Sequence, residues 1–158
     1  MKKSILMVCL GNICRSPVAE GIMRSKAEKY GLDLHIDSAG TSNYHIGQNP
    51  DERSTANAKN HGIDISKLKA RQFLVPDFDR FDHIYVMDHS NYRDVIMMAR
   101  HDSDRQKVNM ILNALYPESN MSVPDPYYGG DQGFEHVFML LDSACEVIAS
   151  ALKENASR

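Results

Sequence analysis

Two cysteines and an arginine stand close together near the start of the chain, in the stretch VCLGNICRSP between residues 8 and 17. Cys9 directly follows an apolar run, Gly11 lies in the middle of the stretch, and Arg15 comes six positions after Cys9. A guanidinium grips two oxygens of a tetrahedral oxyanion at once, and its charge favours the thiolate form of a nearby cysteine. These residue types at this spacing predict a thiol that attacks phosphorus and forms a phosphocysteine intermediate.

The elements on either side of this stretch predict an anion-binding loop. Ser4–Val8 (SILMV) is typical of a strand buried on both faces of a parallel sheet. Ser16 as the N-cap and Pro17 as the first helical residue predict a helix that ends at Gly31. The intervening backbone N–H groups and the helix N-terminus would point at one spot. The Walker pattern G-x-x-x-x-G-K-[ST] is absent, which disfavours a nucleotide phosphate as the ligand.

Strand and helix patterns alternate along the rest of the sequence. Further strands are predicted at Leu32–Ser38, His83–Asp88 and Lys107–Ile111, and further helices at Glu52–His61, Ser90–Arg100 and Gln132–Lys153. The alternation predicts one α/β domain over residues 1–158, a four-stranded parallel sheet with helices on both faces and a phosphate-binding loop after the first strand. Ligands bind beyond the carboxyl ends of such strands, where Cys9, Ser38 and Asp88 are expected.

Composition narrows the classes of partner. Of the 158 residues, 42% are hydrophobic and 25% charged, and the net charge of −3 disfavours a broad nucleic-acid surface. No stretch approaches the length needed for membrane insertion, and the apolar part of the N-terminus is shorter than a signal-peptide core. Three cysteines suit a reducing compartment, so a cytoplasmic location is expected. The oligomeric state stays open.

Five motifs in this order identify a family resemblance that covers nearly the whole chain. They are CLGNICRS (9–16), DSAGTS (37–42), HGI (61–63), MDHSN (87–91) and VPDPYYGG (123–130). Together they resemble the low-molecular-weight protein tyrosine phosphatases. The resemblance implies hydrolysis of phosphotyrosine on protein substrates without a metal or other cofactor, because Arg15 and the loop supply the positive charge. The phosphate-binding loop would then comprise Leu10, Gly11, Asn12, Ile13, Cys14 and Ser16.

An acid is needed to complete this chemistry. A displaced tyrosine phenolate is basic, with a pKa near ~10, and a positioned carboxylic acid that protonates it is worth about 10²–10⁴ in rate. Asp125 is the candidate, because Pro124 and Pro126 stiffen its backbone on both sides. It also matches the family's general acid, which then acts as the base for the hydrolytic water.

The resemblance also implies a rim for the substrate. Aromatic and apolar side chains are expected to flank a flat substrate ring, namely Tyr44, Tyr127, Tyr128, Ile13 and Leu10. His45, beside Tyr44, is expected to tune substrate preference. A nucleophile at the bottom of such a crevice favours phosphotyrosine over the shorter phosphoserine.

Polar residues around the loop are expected to support it. Ser16 is predicted to donate a hydrogen bond to the thiolate as well as to cap the helix. Asn12, Ser38 and His61 resemble the polar set that locks the family's loop, with Asn12 suited to a left-handed backbone position. Asp88 matches the partner that orients His61.

The other two cysteines receive separate interpretations. Cys14, close to Cys9, suggests that oxidation of Cys9 to a sulfenic acid is resolved as a Cys9–Cys14 disulfide. Cys145 lies on the apolar stripe of the last predicted helix and is expected in the core. A zinc site at Cys9 and Cys14 is disfavoured, because no C-x-x-C or paired Cys/His partner lies nearby.

Three other functions fit parts of the pattern. An arsenate reductase on this fold relays electrons through further cysteines, and none lies between Cys14 and Cys145. A phosphotyrosine-binding module would be expected to have lost Cys9 or Asp125. A phosphocysteine carrier of a sugar phosphotransferase system would need neither Asp125 nor the aromatic rim.

Overall fold

A four-stranded, all-parallel sheet forms the centre of the protein. The computed structural model describes residues 2–156, without the side chain of Tyr128. The strands are β1 (Lys3–Cys9), β2 (Leu34–Gly40), β3 (His83–Val86) and β4 (Val108–Met110). They lie in the order β2-β1-β3-β4, and each neighbouring pair is parallel. The predicted sheet is confirmed, although β2 begins and ends two residues later than expected.

Six α-helices connect or follow the strands in the described residues. They are α1 (Arg15–Tyr30), α2 (Glu52–Asn60), α3 (Asp77–Arg80), α4 (His89–Met98), α5 (Asp102–Gln106) and α6 (Gly130–Ala156), with 3₁₀ turns at Ile111–Ala114 and Pro126–Tyr128. The sequence did not predict α3 or α5, because four or five residues are too few to show a helical period. Within residues 2–156, no helix combines the length and apolar character that crossing a membrane requires.

The sheet is buried on both faces, as its continuous apolar strands predict. Alternate residues of β1 point to opposite sides, so Ile5 and Met7 join one hydrophobic core while Leu6 and Val8 join the other. The first core is closed by α1 and α6, and the second contains Phe78 of α3 together with side chains of β3, α4 and β4. Helices therefore cover both faces, as predicted.

The strand order places the carboxyl end of β1 at the point where the direction of the chain connections reverses. From β1 the chain crosses to β2 on one side and later to β3 and β4 on the other. In doubly wound sheets this reversal leaves a crevice at the carboxyl ends of the strands. Cys9, the last residue of β1, lies at that position and is 3% exposed.

The start of α1 differs from the prediction. Cys14 is the N-cap residue, without a side-chain cap, and Arg15 is the first helical residue. Ser16 is therefore inside the first turn, and the predictions that it caps the helix and that Pro17 occupies the first helical position are wrong. The helix starts earlier because its first turn is continuous with the loop, and the Ser16 hydroxyl is used within that loop. Gly31 ends α1 at φ 64°, as predicted.

Candidate active site

A cysteine and a serine face each other at the bottom of the loop between β1 and α1. Cys9 Sγ lies 3.0 Å from Ser16 Oγ, and both residues are buried. Ser16 is in the first turn of α1, so the thiol lies beside the N-terminus of that helix. A hydroxyl and a helix N-terminus both favour a negatively charged sulfur. The expected contact between Ser16 and the thiol is present.

Asn12 holds the loop in shape. Its backbone has φ 58°, the left-handed conformation expected from the sequence. Its side-chain amide donates to Ser16 Oγ at 2.8 Å and to Ser38 Oγ at 2.9 Å. Its side-chain oxygen accepts the backbone N–H of Arg71 at 3.0 Å. The loop is thereby tied to the first turn of α1, to β2 and to the segment before α3.

The hydrogen bonds around Asn12 extend to a buried glutamate that the sequence analysis missed. Ser38 Oγ donates to Glu20 Oε1 at 2.6 Å, and burial raises the pKa of the Glu20 carboxyl. Because Asn12 donates to Ser16 Oγ, the Ser16 hydroxyl proton is free to point to another acceptor, either Cys9 Sγ at 3.0 Å or the Ala39 carbonyl at 3.4 Å. Nothing in the sequence around Glu20 indicates that it would bond to Ser38. The role becomes visible only in the structure, where Glu20 is buried.

Arg15 is buried and fixed from one side. Its Nη1 donates to Asp88 Oδ2 at 2.8 Å and to the Val123 carbonyl at 3.0 Å. Its Nε and Nη2 make no bond to residues 2–156, and the side chain lines the crevice that opens above Cys9. An arginine held at one nitrogen is available to grip an oxyanion with the other two.

Asp88 and His61 lie apart, so the prediction that Asp88 orients His61 is wrong. Asp88 accepts from Arg15 and caps α4 through the Asn91 N–H. His61 ends α2, where its Nε2 lies 2.7 Å from Glu135 Oε1 and its ring stacks on Phe138 with centroids 3.9 Å apart. The polar set around Asn12 contains Ser38, as expected, but it reaches Glu20 where the sequence analysis placed His61. His61 joins α2 to α6 instead.

The predicted rim surrounds an open crevice. Its lining includes Leu10, Gly11, Ile13, Cys14, Tyr44, His45, Pro126 and Tyr127, together with Cys9, Arg15 and Asp125. Tyr44 is 71% exposed, so its ring stands at the entrance. The predicted rim position of the Tyr128 side chain lies outside the described part of the chain. Asp125 Oδ1 accepts the backbone N–H of Tyr127 at 3.0 Å, which turns the carboxyl back over its own loop.

The two remaining cysteines are both free thiols in the interior. Burial raises the pKa of the Cys14 thiol to about 11, and the hydroxyls of Tyr127 and Ser54 face it. Burial raises the pKa of Cys145 to about 12, and Cys145 packs in the core beneath α1. Cys145 is thus a core residue, as predicted. No group of three or more potential metal ligands occurs among the described residues.

Gly40 allows β2 to approach the loop closely. A Cβ built on Gly40 would lie 2.7 Å from the Leu10 carbonyl oxygen and 3.0 Å from the Gly11 carbonyl carbon. We expect Gly40→Ala to lower kcat/KM by about 10–100-fold, because these backbone atoms must move. The free energy of unfolding should fall by about 1–3 kcal/mol, measured by urea denaturation.

Gly31→Ala is the matched control for this substitution. Gly31 has φ 64°, where a residue with a Cβ is strained, but there is open space around it and it lies at the other end of α1 from the loop. Its alanine variant should lose about 1 kcal/mol of stability with unchanged kcat/KM. Full activity in Gly40→Ala would contradict the close packing of β2 on the loop.

The sheet with this loop at its switch point has the architecture of a small α/β phosphatase. The family model described as "Low molecular weight phosphotyrosine protein phosphatase" matches residues 4–158, and the chain belongs to that family. A Synechocystis sp. relative is 46% identical over 150 residues, which span 94% of this chain and 95% of its own. The low molecular weight phosphotyrosine protein phosphatase of Gallus gallus is 42% identical, covering 91% and 92%.

A solved structure shares the complete fold. The crystal structure of protein tyrosine phosphatase from Entamoeba histolytica, with Hepes in its active site, aligns with a TM-score of 0.89 at 36% identity. The alignment covers 98% of this chain and 99% of that one. The chain is therefore an α/β enzyme of the protein-tyrosine-phosphatase class, as the motifs predicted.

Proposed function

We propose that the protein hydrolyses protein phosphotyrosine in two steps, through a phosphocysteine formed at Cys9. The observation that carries the proposal is that Cys9, Arg15 and Asp125 line one crevice, although they come from two distant parts of the chain. A nucleophile, a cation and an acid around one opening are the three groups that transfer of a phosphoryl group from a phenol requires. We also propose that residues 1–158 form a single phosphatase domain.

In the first step the Cys9 thiolate attacks phosphorus and the bond to the tyrosine oxygen breaks. The phosphoryl oxygens are bound by the loop N–H groups from Leu10 to Ser16 and by the Arg15 nitrogens Nε and Nη2. Asp125 gives its proton to the departing phenolate, so neutral tyrosine leaves. No metal is required in this proposal, because Arg15 and the helix N-terminus bring the positive charge.

In the second step water replaces the cysteine at phosphorus. Asp125, now ionised, accepts a proton from the attacking water, the bond between sulfur and phosphorus breaks, and inorganic phosphate leaves. The Ser16 hydroxyl donates to the departing sulfur, since Asn12 already donates to the Ser16 oxygen. The same hydrogen bond that favours the thiolate at rest thus makes it a better leaving group.

The shape of the crevice supports phosphotyrosine as the substrate class. Tyr127 is 45% exposed and Tyr44 71% exposed, so two rings stand at the entrance while Cys9 is 3% exposed below them. A phosphoserine is shorter and has no ring to pack between aromatic side chains. His45 lines the same crevice and is placed to influence which flanking residues are accepted.

The discriminating experiment compares phosphotyrosine and phosphoserine versions of one peptide, in excess EDTA and reducing agent. We expect release of phosphate from the phosphotyrosine peptide only, with full activity despite chelation. Equal turnover of both peptides would refute the substrate class, and loss of activity in EDTA would refute metal independence. Binding of the phosphotyrosine peptide without turnover would instead identify a binding module, and arsenate-dependent thiol oxidation would identify a reductase.

We also propose that Cys14 protects Cys9 from irreversible oxidation. Peroxide converts the Cys9 thiolate to a sulfenic acid, and attack by Cys14 sulfur then forms a disulfide and releases water. Such regulation fits a reducing cytoplasmic setting, since all three cysteines are free thiols. The attacking sulfur must be ionised, and burial raises the pKa of Cys14 to about 11.

Two results are expected from this redox proposal. After treatment with excess peroxide, wild type should regain activity with dithiothreitol, whereas the Cys14→Ser variant should not, because its Cys9 sulfenic acid is oxidised further to the sulfinic acid. Closure of the disulfide should accelerate about tenfold per pH unit from neutral pH upwards, because the ionised fraction of Cys14 rises in that proportion below its pKa. Quenched-flow alkylation followed by mass spectrometry measures the rate. Identical recovery of wild type and Cys14→Ser would contradict the proposal.

A further inference from the structure

We propose that Arg53 is a positioning residue for the acid, holding the loop that carries Asp125 against the phosphate-binding loop. The inference rests on the proposed function, because it concerns the placement of the general acid. Arg53 itself is outside the lining of the crevice. Its effect would act through Tyr127.

The guanidinium of Arg53 lies between two aromatic rings at the end of the Asp125 loop. Its central carbon Cζ is 4.8 Å from the ring centroid of Tyr127 and 4.8 Å from that of Phe134. The two rings also meet edge to face, with centroids 6.4 Å apart. A planar guanidinium is attracted to aromatic faces at such distances. Arg53 therefore joins the 3₁₀ turn after Asp125 to the first turns of α6.

The other side of Arg53 is fixed to the phosphate-binding loop. Its Nε and Nη2 each lie 3.2 Å from an oxygen of Asp51, so the guanidinium and carboxylate pair through two hydrogen bonds. The backbone N–H of Asp51 donates to the Ile13 carbonyl in that loop at 2.7 Å. Asp51 thus connects Arg53 to the phosphate-binding loop around Cys9.

Tyr127 completes the connection to the acid. Its backbone N–H donates to Asp125 Oδ1 at 3.0 Å, and its hydroxyl donates to Asp51 Oδ2 at 3.4 Å. Burial of Tyr127 raises the pKa of its phenol, which keeps the hydroxyl available as a donor. A displacement of the Tyr127 ring would therefore move the Asp125 carboxyl relative to Cys9.

A role as an ordinary surface charge makes a different prediction. The Arg53 side chain is 48% exposed, and exposed ion pairs contribute little to stability. Arg105 offers a matched comparison, since it pairs with Asp102 at 2.5 Å on α5 and is 45% exposed. If Arg53 only neutralised Asp51, replacing either arginine would have the same small effect.

The test measures kcat and KM of Arg53→Met, Arg53→Lys and the control Arg105→Met with phenyl phosphate and p-nitrophenyl phosphate. The leaving group of phenyl phosphate is a basic phenolate that needs a proton, whereas that of p-nitrophenyl phosphate is a stabilised phenolate that leaves without one. For Arg53→Met we expect a fall in kcat/KM of about 5–30-fold with phenyl phosphate and a much smaller fall with p-nitrophenyl phosphate, because kcat/KM reports the step in which the phenol leaves. Arg53→Lys should recover part of the loss, because an ammonium retains the attraction to the rings. Arg105→Met should match wild type.

The double variant with Asp125→Asn separates this inference from the function on which it rests. In that background Arg53→Met should cause little further loss, since the acid that it positions is gone. Equal losses on both substrates, or behaviour like Arg105→Met, would overturn the positioning role while leaving the proposed function intact. If Asp125→Asn loses the same activity on both substrates, neither the acid role of Asp125 nor the positioning role of Arg53 stands. Should Arg53→Met fail to fold in a thermal melt, Arg53→Lys carries the same comparison, with a smaller loss of the same kind expected.

Discussion

Replacing Cys9 by serine is expected to lower kcat by about 10⁴–10⁶, the range for removal of a nucleophile from an otherwise intact site. Serine is nearly isosteric, but its alcohol is a far weaker acid and a far weaker nucleophile than a thiol. The side chain at position 9 faces the Ser16 hydroxyl, which is 3.0 Å from Cys9 Sγ, and a serine hydroxyl is not a general base. The variant therefore has no route to an oxygen nucleophile.

Binding should survive this substitution, which makes it a sharp test. Arg15 and the loop N–H groups are unchanged, so inorganic phosphate should bind Cys9→Ser within a few-fold of its wild-type affinity, measured by calorimetry. Thermal unfolding should also be close to wild type. Retention of more than a small fraction of kcat in a preparation free of wild-type enzyme would exclude Cys9 as the nucleophile.

The second large effect is expected from Asp125→Asn. The amide cannot give a proton, so kcat/KM with phenyl phosphate, which reports the step in which the phenol leaves, should fall by about 10²–10⁴. The loss should be much smaller with p-nitrophenyl phosphate, whose phenolate leaves readily without a proton. Asparagine keeps the side-chain oxygen that accepts the Tyr127 N–H, so the loop geometry is preserved.

Asp33→Asn provides the control for this variant. Asp33 is 82% exposed between α1 and β2, at the end of the sheet opposite the crevice. Its asparagine variant should retain wild-type kcat on both substrates. A loss in kcat/KM for Asp125→Asn that is the same for the two leaving groups would exclude Asp125 as the acid that protonates the departing phenolate.

Local patterns in the sequence predicted the sheet, the loop and the crevice. The apolar run of β1 followed by Gly11, Asn12 and Arg15 predicts a buried strand and an anion-binding loop, because both depend on residues that are neighbours in the sequence. Asn12 was likewise expected in its left-handed conformation, a local backbone preference. The start of α1 was misplaced because Ser16 is a common N-cap and its partner Cys9 is on another element.

Long-range side-chain pairs could not be predicted in the same way. Glu20 meets Ser38 only because α1 packs against β2, and burial of a glutamate is not visible in a helix pattern. His61 was assigned to the loop from a three-residue motif, whereas packing of α2 on α6 gives it Glu135. Arg53 pairs with Tyr127 across a contact that no local spacing encodes.

The contacts that shape the loop also determine when activity appears during folding. Asn12 is bonded to a residue 59 positions away, and Arg15 to residues 73 and 108 positions away. Contacts of such separation form slowly, because the entropy of closing long loops must be overcome first. A chain shorter than 123 residues cannot supply the carbonyl that holds Arg15. Activity regained during refolding therefore requires contacts that extend from the loop to Val123. Spectroscopic signals from α1 or β1 report only the formation of those elements.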